Sequence, residues 1–571
     1  MPFTPDMRRK VDQIRDYLYG GGYPDPLSNA EQLSFLFFFY MIEGIDSANL
    51  RQARATSRDY TSLFAGEWTL RNPLNAPAKG VEIIPRDRMR WSSFANAMSG
   101  EQLVTFVRDE VFPFFATIGD RFGMSFMAQA RLAIDEPTVL TQIVTLVNEL
   151  RLEQADPDTK GDLFEHVLRQ IKQAGELGQF RTPRHIIRAI VDLVDPKIGE
   201  TVYDPAAGTA GFLVAAYEHI RLANSSANGR DVSELEGKKF ERGYGDRLND
   251  AQWRTLRTKT FYGNDVDPKM VSLASMNLTL RGLPDVRILK RNVLTTSFDR
   301  QAKAERGLPL DGYDVILANP PFSGRLDRDR IVDDVRIGTS TATELLFVKY
   351  MIDNLKPAEA GGDPRKSSRC GVVVPEGVLF GSTGAHKELR RILMQNNRVE
   401  AVLSLPGGVF QPYSGVKTSV LVFARGGRTE RVMFLHVSHD GFKLDANHDQ
   451  PIEADDLPGL IAAFNRRDDR LADWQNRDAE KPWTENWWFA DAATIEREDW
   501  NLSASRYRPE SREAAEHRDP RELLAELRDE TAAILAEIET LATDLADSPL
   551  PPPRGEGRGG GQKADSKEPV G

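Results

Sequence analysis

Between Gly161 and Arg425, short apolar runs of strand length alternate with longer stretches of helical composition. The apolar runs are Thr201–Tyr203, Thr260–Tyr262, Ile288–Leu289, Tyr313–Ala318, Cys370–Val374, Val399–Leu405 and Ser419–Phe423, and the helical stretches include Phe212–Ile220, Lys269–Arg281 and Thr343–Leu355. This alternation predicts an open, largely parallel α/β sheet with helices on both faces. Such sheets bind ligands beyond the carboxyl ends of their strands, so the residues that follow each strand are the candidate site.

The segments on either side of this region differ in texture. Residues 1–150 favour a helical domain, with helices over Met7–Tyr19 and Glu31–Ile42, and show no evident chemistry. The apolar run Leu33–Ile42 is about half the length that crosses a bilayer, so we expect a buried helix and a cytoplasmic protein without a membrane anchor. The predicted domains are therefore 1–150, a sheet domain over 151–430, an extension over 431–510, a helix over 511–547 and a disordered tail over 548–571.

The helix near the end of the chain has a coiled-coil pattern. Asp519 is a good N-cap and Pro520 suits the first helical position. Apolar and threonine side chains then recur at steps of three and four, at Leu524, Leu527, Thr531, Ile534, Ile538, Leu541 and Leu545. A seam this narrow favours packing on another helix, in the same chain or in a partner.

A glycine-rich turn, DPAAGTAGFL, follows the first strand of the predicted sheet. Its small residues Gly208, Thr209, Ala210 and Gly211 allow a tight turn and a close approach of the backbone to a ligand. Asp204 at the strand end suits an ammonium group, and the lysine of a phosphate-binding loop is missing, so S-adenosylmethionine fits better than a nucleoside triphosphate. Taken alone, a plain tight turn is an equally good interpretation.

Two further polar positions follow neighbouring strands. Asp265, in GNDVDP, is placed to accept the hydroxyls of a ribose; Asp267 is its local competitor and is farther from the strand. Asn292 follows the next strand and could contact the adenine ring of a cofactor, or could be a turn residue.

The motif NPPF, formed by Asn319, Pro320, Pro321 and Phe322, directly follows the strand Tyr313–Ala318. The Asn319 side-chain carbonyl and the Pro320 backbone carbonyl could accept both N–H bonds of an adenine amino group and so localise its lone pair. Phe322 could stack on a base that has left the double helix. The lone cysteine, Cys370, excludes a disulfide framework and a thiolate zinc site, and no metal site is predicted.

Together these residues resemble the modification subunits of type I restriction-modification systems. The resemblance runs from about Asp158 to Arg425 and looks continuous beyond it. It includes KGDLFEHVL, GQFRTPRHI, DPAAGTAGF, GNDVDP and NPPF in the family's order, then GVVVPEGVLFG and, after Arg425, NLSASRYRP. It implies a Rossmann-like methyltransferase sheet that methylates adenine N6 in DNA. It also implies that a segment before the glycine turn lines the methionine end of the cofactor pocket, with the residues Gln179, Phe180, Arg181, Thr182, Pro183 and Arg184.

The resemblance implies partners as well. A separate specificity subunit reads double-stranded DNA, two modification subunits flank it, and a motor-nuclease restriction subunit joins for cleavage. The net charge of −11 agrees with a catalytic subunit that takes part of its DNA affinity from a partner. The helix Pro520–Ala546 would dock on the specificity subunit.

Three other functions are weighed against this one. Glutamine-specific protein methyltransferases also carry an Asn-Pro-Pro motif, but they are much shorter and usually have Tyr after it. A self-sufficient DNA methyltransferase would bind DNA without a partner. A non-catalytic scaffold would have no reason to keep Asp204, Asp265, Asn319 and Phe322 intact.

Overall fold

The computed structural model describes residues 4–509 apart from 57–58, 71–81, 119–126, 129, 153–154, 171–181, 236, 284–285, 359–366, 412–413, 446–447, 449 and 479–480, together with Arg528. The chain divides into two compact units. The first, Met1–Arg477 with Glu485–Arg508, contains every strand of the central sheet. Of the second, Asp478–Thr484 with Pro509–Gly571, only 478, 481–484, 509 and 528 are described. The predicted heptad helix and tail therefore lie outside the described residues.

The helices are α1 (Pro5–Gly20), α2 (Pro26–Thr56), α3 (Trp91–Phe94), α4 (Gly100–Phe106), α5 (Phe112–Ile118), α6 (Pro137–Glu149), α7 (Pro157–Gln170), α8 (Arg184–Val194), α9 (Gly211–Ala223), α10 (Asp250–Thr258), α11 (Pro268–Leu280), α12 (Arg300–Glu305), α13 (Thr343–Asn354), α14 (Glu376–Phe380), α15 (Gly384–Asn396), α16 (Leu457–Asn465), α17 (Arg467–Gln475) and α18 (Ala492–Arg497).

The strands are β1 (Glu67–Leu70), β2 (Glu82–Pro85), β3 (Val202–Asp204), β4 (Arg230–Leu235), β5 (Lys238–Gly243), β6 (Phe261–Asp265), β7 (Arg287–Lys290), β8 (Val315–Ala318), β9 (Arg369–Pro375), β10 (Asn397–Ser404), β11 (Thr418–Arg425), β12 (Arg431–His436), β13 (Asp440–Phe442), β14 (Pro451–Asp455) and β15 (Trp487–Asp491).

A nine-stranded sheet in the order β15-β12-β10-β11-β9-β8-β3-β6-β7 forms the centre of the molecule. Strands β7, β6, β3, β8 and β9 run parallel, β11 is antiparallel to both of its neighbours, β12 runs parallel to β10, and β15 closes the edge antiparallel to β12. The chain moves from β3 outward to β6 and β7 and then returns to the other side of β3 as β8. Strand β3 therefore lies at the topological switch point, where ligands of open α/β sheets bind.

The N-terminal helices share a core with two helices of the sheet domain. Apolar side chains of α1, α2 and α4–α6 pack with those of α7 and α11, including Phe164 and Leu273, which are both fully buried. The run Leu33–Ile42 lies inside α2 and is buried almost throughout, as expected from its composition. Among the described residues, no helix has the length and apolar character that a membrane span requires.

A buried network of ion pairs joins α7, α8, α9, α11 and β5. Arg281, whose side chain has no exposed surface, donates to Glu165 at 2.9 Å and to Glu218 at 3.3 Å. Glu165 also pairs with Arg184, and Arg242 lies 3.6 Å from Glu218. Burial alone would raise the pKa of Glu218, but the surrounding arginines, Arg242 and Arg281 foremost, hold that pKa at about 2. The network fixes α8, the helix that leads out of the predicted cofactor segment.

The predicted elements of the sheet domain agree closely with the observed ones. Each predicted strand falls on an observed strand from β3 to β11, and the three predicted helices are α9, α11 and α13. The structure also contains three strand pairs in regions where the sequence pattern did not predict strands. These are β1–β2, in the N-terminal region that we predicted to be helical, β4–β5 between α9 and α10, and β13–β14 after β12. These short ladders are set by pairing within the folded chain, which local composition does not encode.

Candidate active site

The glycine-rich turn joins β3 to α9 at the carboxyl edge of the sheet. Gly208 and Ala210 both have left-handed backbones, with φ of 51° and 66°. The turn is held against β6 by a hydrogen bond from the Ala207 N–H to the Asn264 carbonyl at 2.8 Å. A Cβ at Gly208 would meet no atom within 4 Å, so the space beside this residue is open. The turn therefore leaves its backbone accessible on this side.

Two carboxylates lie at this turn. Asp204 is 1% exposed and its Oδ1 accepts from the Ala206 N–H at 3.0 Å. Asp265, the last residue of β6, accepts from the Gly208 N–H at 2.9 Å through Oδ2. Burial raises the pKa of Asp204 to about 8, and the nearby Asp265 contributes in the same direction. Burial also raises the pKa of Asp265. Two desolvated carboxyl groups this close favour a ligand that carries positive charge.

The structure gives different positions to the two aspartates that the sequence left in competition. Asp265 reaches the glycine turn, whereas Asp267 is the N-cap of α11 and accepts from the Lys269 N–H at 2.8 Å. Asn292 follows β7, and its Oδ1 accepts from the Leu294 N–H at 3.0 Å within its own turn. Its side-chain oxygen is therefore used locally, which matches the turn interpretation of this residue.

Asn319 follows β8, which pairs in parallel with β3, so the NPPF motif and the glycine turn lie at the same edge of the sheet on adjacent strands. The Asn319 Nδ2 group donates to the Thr182 hydroxyl at 2.8 Å. Its Oδ1 atom is buried and has no hydrogen-bond partner among the described residues. An acceptor in this state is costly unless a ligand supplies a donor.

The remaining residues of the motif differ in exposure. Pro320 is buried, whereas Pro321 is exposed to solvent. Phe322 is only 6% exposed and meets the Phe410 ring edge to face, with the ring centroids 5.2 Å apart. Stacking of a base on Phe322 therefore requires one of these two rings to move.

The segment before α8 meets the site through Thr182. Of the six residues expected here, Gln179, Phe180 and Arg181 lie outside the described residues. Thr182 is 6% exposed and orients Asn319, and Pro183 precedes the first turn of α8. Arg184 has a different role, because its side chain pairs with Glu165 in the buried ion network.

Sequence reasoning missed two residues that shape the site. Asn277 on α11 donates from Nδ2 to the Thr209 carbonyl at 2.9 Å and so holds the glycine turn from the side. Its signal was a single amide in an otherwise apolar helical run. No feature of the sequence around Phe410 indicates that it covers Phe322, because this role depends on a contact with a distant loop.

These groups together fit a cationic, adenosine-like ligand opposite an amine. The carboxyl groups of Asp204 and Asp265, which a bound cation would hold in the ionised form, offer partners for positive charge and for hydroxyl groups beside an open backbone turn. The unpartnered oxygen of Asn319 offers an acceptor on the neighbouring strand. S-adenosylmethionine carries an ammonium group, a sulfonium and a ribose, so these residues fit it.

Two family models match most of this chain. The model of the family described as N-6 DNA methylase matches residues 155–516, and that of the HsdM N-terminal domain matches residues 7–147. The type I restriction enzyme EcoEI methylase subunit of Escherichia coli is 28% identical over 476 residues, which are 81% of this chain and 85% of that protein. The EcoKI methylase subunit of Escherichia coli K12 is also 28% identical, over 66% of this chain and 65% of its own.

Solved structures share the fold. One of them is a chain from the structural work on complex assembly and conformational transition of the type I R-M system. It is 25% identical in sequence, with a TM-score of 0.64, and the match covers 96% of this chain and all of that chain. The methyltransferase subunit of a type I restriction-modification system from Streptococcus thermophilus has a TM-score of 0.58 and 16% identity, covering 88% of this chain and 98% of that one.

The sheet order and the site at its switch point define a Rossmann-like, S-adenosylmethionine-dependent methyltransferase. More particularly, the chain belongs to the N-6 DNA methylase family and is a modification subunit of a type I restriction-modification system. Its activity is the methylation of adenine in DNA at the N6 position.

Proposed function

We propose that Asn319 and Pro320 are the catalytic groups and activate the amino group of an adenine that has left the double helix. The observation that carries this proposal is the buried, unpartnered Oδ1 of Asn319 beside an Nδ2 fixed by Thr182. With Nδ2 held by the Thr182 hydroxyl, the oxygen faces the substrate as an acceptor. The opposite orientation of the amide would direct donors at the donors of the amine.

The exocyclic amine of adenine is a poor nucleophile because its lone pair is delocalised into the ring. Two acceptors on its N–H bonds, the Asn319 Oδ1 and the Pro320 backbone carbonyl, favour a localised lone pair. Because both are held in place before the substrate arrives, little reorganisation is needed when charge develops. The nitrogen gains the methyl group and releases one proton, which passes to solvent because neither an amide nor a peptide oxygen retains a proton at neutral pH.

The cofactor-binding groups in this proposal surround the glycine turn. Bound S-adenosylmethionine supplies a methyl group already activated by a sulfonium, so no covalent enzyme intermediate is needed. Asp204 binds the ammonium group, Asp265 accepts the ribose hydroxyls, and the backbone of Gly208–Gly211 lies along the ligand. Thr182 closes the methionine end, and Asn292, whose oxygen is used in its own turn, contributes least.

Phe322 is the proposed stacking partner of the extruded base. Because Phe322 is buried against Phe410 in this structure, base binding displaces the Phe410 ring or turns Phe322 out from under it. The exposed Pro321 next to it keeps the turn rigid while this happens.

The proposed partners are double-stranded DNA, a specificity subunit and a restriction subunit, with two copies of this chain for each specificity subunit. The relatives are named as subunits of type I restriction enzymes. The acidic net charge of this chain favours DNA binding in which a partner subunit supplies part of the affinity. We place the domain boundaries at 1–150, 151–430 and 431–510, with an assembly helix over 511–547 and a tail over 548–571, in a cytoplasmic protein. Deletion from Pro520 onward is expected to abolish complex assembly while cofactor binding remains; assembly by the truncated chain would contradict this role.

The test of the catalytic proposal is Asn319→Ala in the assembled complex. Methyl transfer to DNA, followed with a tritiated methyl donor, should be lost, while cofactor binding in calorimetry should be unchanged. Asn292→Ala is the matched control. This asparagine also follows a strand of the sheet, but its side-chain oxygen accepts a hydrogen bond within its own turn. The control should retain transfer at saturating cofactor. Normal transfer by Asn319→Ala would overturn the assignment.

A further inference from the structure

Two histidines and an aspartate converge beside the N-terminus of α8, in a place that the methylation chemistry does not use. His185 belongs to the first turn of α8, Asp440 begins β13, and His448 lies in the loop between β13 and β14. Asp440 and the His448 side chain have no exposed surface, and 14% of the His185 side chain is exposed. Their ligand atoms all lie within 4.8 Å of one another.

Hydrogen bonding does not account for this convergence. The Nε2 atoms of both histidines lie 2.9 Å from the same oxygen, Oδ2 of Asp440. His185 makes a hydrogen bond there, but the contact of His448 does not have hydrogen-bond geometry, and neither ring nitrogen of His448 has a hydrogen-bond partner within the described chain. His185 Nδ1 is likewise buried without a partner among these residues. A fully buried imidazole that makes no hydrogen bond, although it lies against a carboxylate, points to a missing ligand.

The backbone around the cluster is specialised for this placement. His448 has a left-handed backbone with φ of 45°, which is uncommon for a residue other than glycine and is held by a hydrogen bond from its N–H to Asp445 at 3.0 Å. The second oxygen of Asp440 accepts from the Phe442 N–H at 3.2 Å, and the Phe442 ring stacks on His185 with centroids 4.4 Å apart. These contacts fix the directions of the carboxylate and of one imidazole.

Another histidine in the same part of the chain shows what a purely structural histidine looks like here. His219 lies between Asp192 and Asp195, and each of its ring nitrogens has a carboxylate partner at 2.9 Å. Both carboxylates are close to half exposed. His219 is therefore satisfied by its neighbours, whereas His448 is not.

We propose that His185, Asp440 and His448 bind a divalent transition-metal ion of the zinc type. Imidazole nitrogens and a carboxylate oxygen are suitable ligands for zinc, which binds them at about 2.0–2.2 Å. Ligand atoms on a tetrahedral ion at these bond lengths lie about 3.3 Å apart, so the two observed contacts of 2.9 Å with Asp440 need to open by only a few tenths of an ångström. The ligand atoms of the two histidines, which lie within 4.8 Å of each other, need to reach the same separation. Three protein ligands leave one position of the ion for water.

The ion would connect the extension after β12 to the active site. His185 is three residues after Thr182, the residue that orients Asn319. A metal bound by β13, the loop after it and α8 therefore holds the segment on which the catalytic amide depends. The role is structural, since the ligands touch neither the glycine turn nor the NPPF motif in the described contacts.

The test measures metal content in the full chain without a histidine tag. Protein purified from zinc-supplemented medium should carry one zinc per chain after dialysis and lose it to a strong chelator, with a fall in melting temperature that added Zn²⁺ reverses. Refilling with Co²⁺ should give a visible absorption band. Wild-type protein that carries no zinc and gains no stability from Zn²⁺ would overturn the proposal.

Variants distinguish this site from adventitious binding. His448→Gln and His185→Gln should each abolish stoichiometric zinc and the stabilisation by Zn²⁺, while circular dichroism confirms that the variants fold. His219→Gln is the matched control and should keep the full zinc content. Zinc retained by the folded His448→Gln protein would place the ion elsewhere and refute the assignment.

Discussion

Replacement of Thr182 by valine isolates the contact that orients the catalytic amide. Valine has nearly the shape of threonine, so the packing of this 6% exposed side chain is retained and only the hydroxyl is lost. Asn319 Nδ2 then loses its partner at 2.8 Å. The amide either keeps its position with an unpaired donor or rotates and withdraws its oxygen from the substrate.

The size of the effect follows from the cost of that choice. Leaving a buried donor without a partner costs about 1–3 kcal/mol. If this free energy is added to the activation barrier, because the transition state requires the Asn319 amide in its present orientation, methyl transfer slows by roughly 5- to 150-fold. Each 1.36 kcal/mol in the barrier is a factor of ten in rate. The loss appears in kcat at saturating cofactor, since Asp204 and Asp265 remain intact.

The assay is single-turnover transfer of a tritiated methyl group to DNA by the assembled complex, with cofactor affinity measured separately by calorimetry. Thr182→Ser is the control, because it restores the hydroxyl and should recover most of the rate. A valine variant with the wild-type rate, or one whose only defect is weaker cofactor binding, would refute the role of Thr182 in orienting Asn319.

Three further predictions concern charge. Because burial raises the pKa of Asp204 to about 8, this carboxyl is largely protonated in the free protein at neutral pH, so cofactor affinity should rise as pH increases from 6 towards 8. Asp204→Asn should weaken binding and flatten this dependence in calorimetry. Asp265→Ala should abolish detectable cofactor binding without unfolding the chain, and unchanged affinity would contradict its ribose role. Arg281→Met removes the buried centre of the ion network and should lower the free energy of unfolding by about 3–5 kcal/mol in denaturant titrations. As a control, Arg300→Ala breaks the exposed ion pair with Asp311 and should lower the free energy of unfolding by less than about 1 kcal/mol.

The sequence determined the architecture of the sheet domain and the family. Strand and helix periodicity, which are local properties, placed β3, β6, β7 and β8 and the polar residues at their ends. Because parallel strands bring their carboxyl ends to one edge, the shared location of Asp204, Asp265 and Asn319 followed from the topology alone. The ordered motifs were sufficient to predict the modification-subunit family, which the comparisons confirm.

Only the tertiary structure decided which side chains meet. The partner of Asn319 lies 137 residues before it, and His185 meets Asp440 across 255 residues, so no local pattern relates them. Asp267 became a helix cap and Arg184 a member of a buried ion network for the same reason. Hydrogen bonds and ion pairs depend on distances of a few ångströms between groups that packing brings together, whereas periodicity reports only which face of an element is apolar.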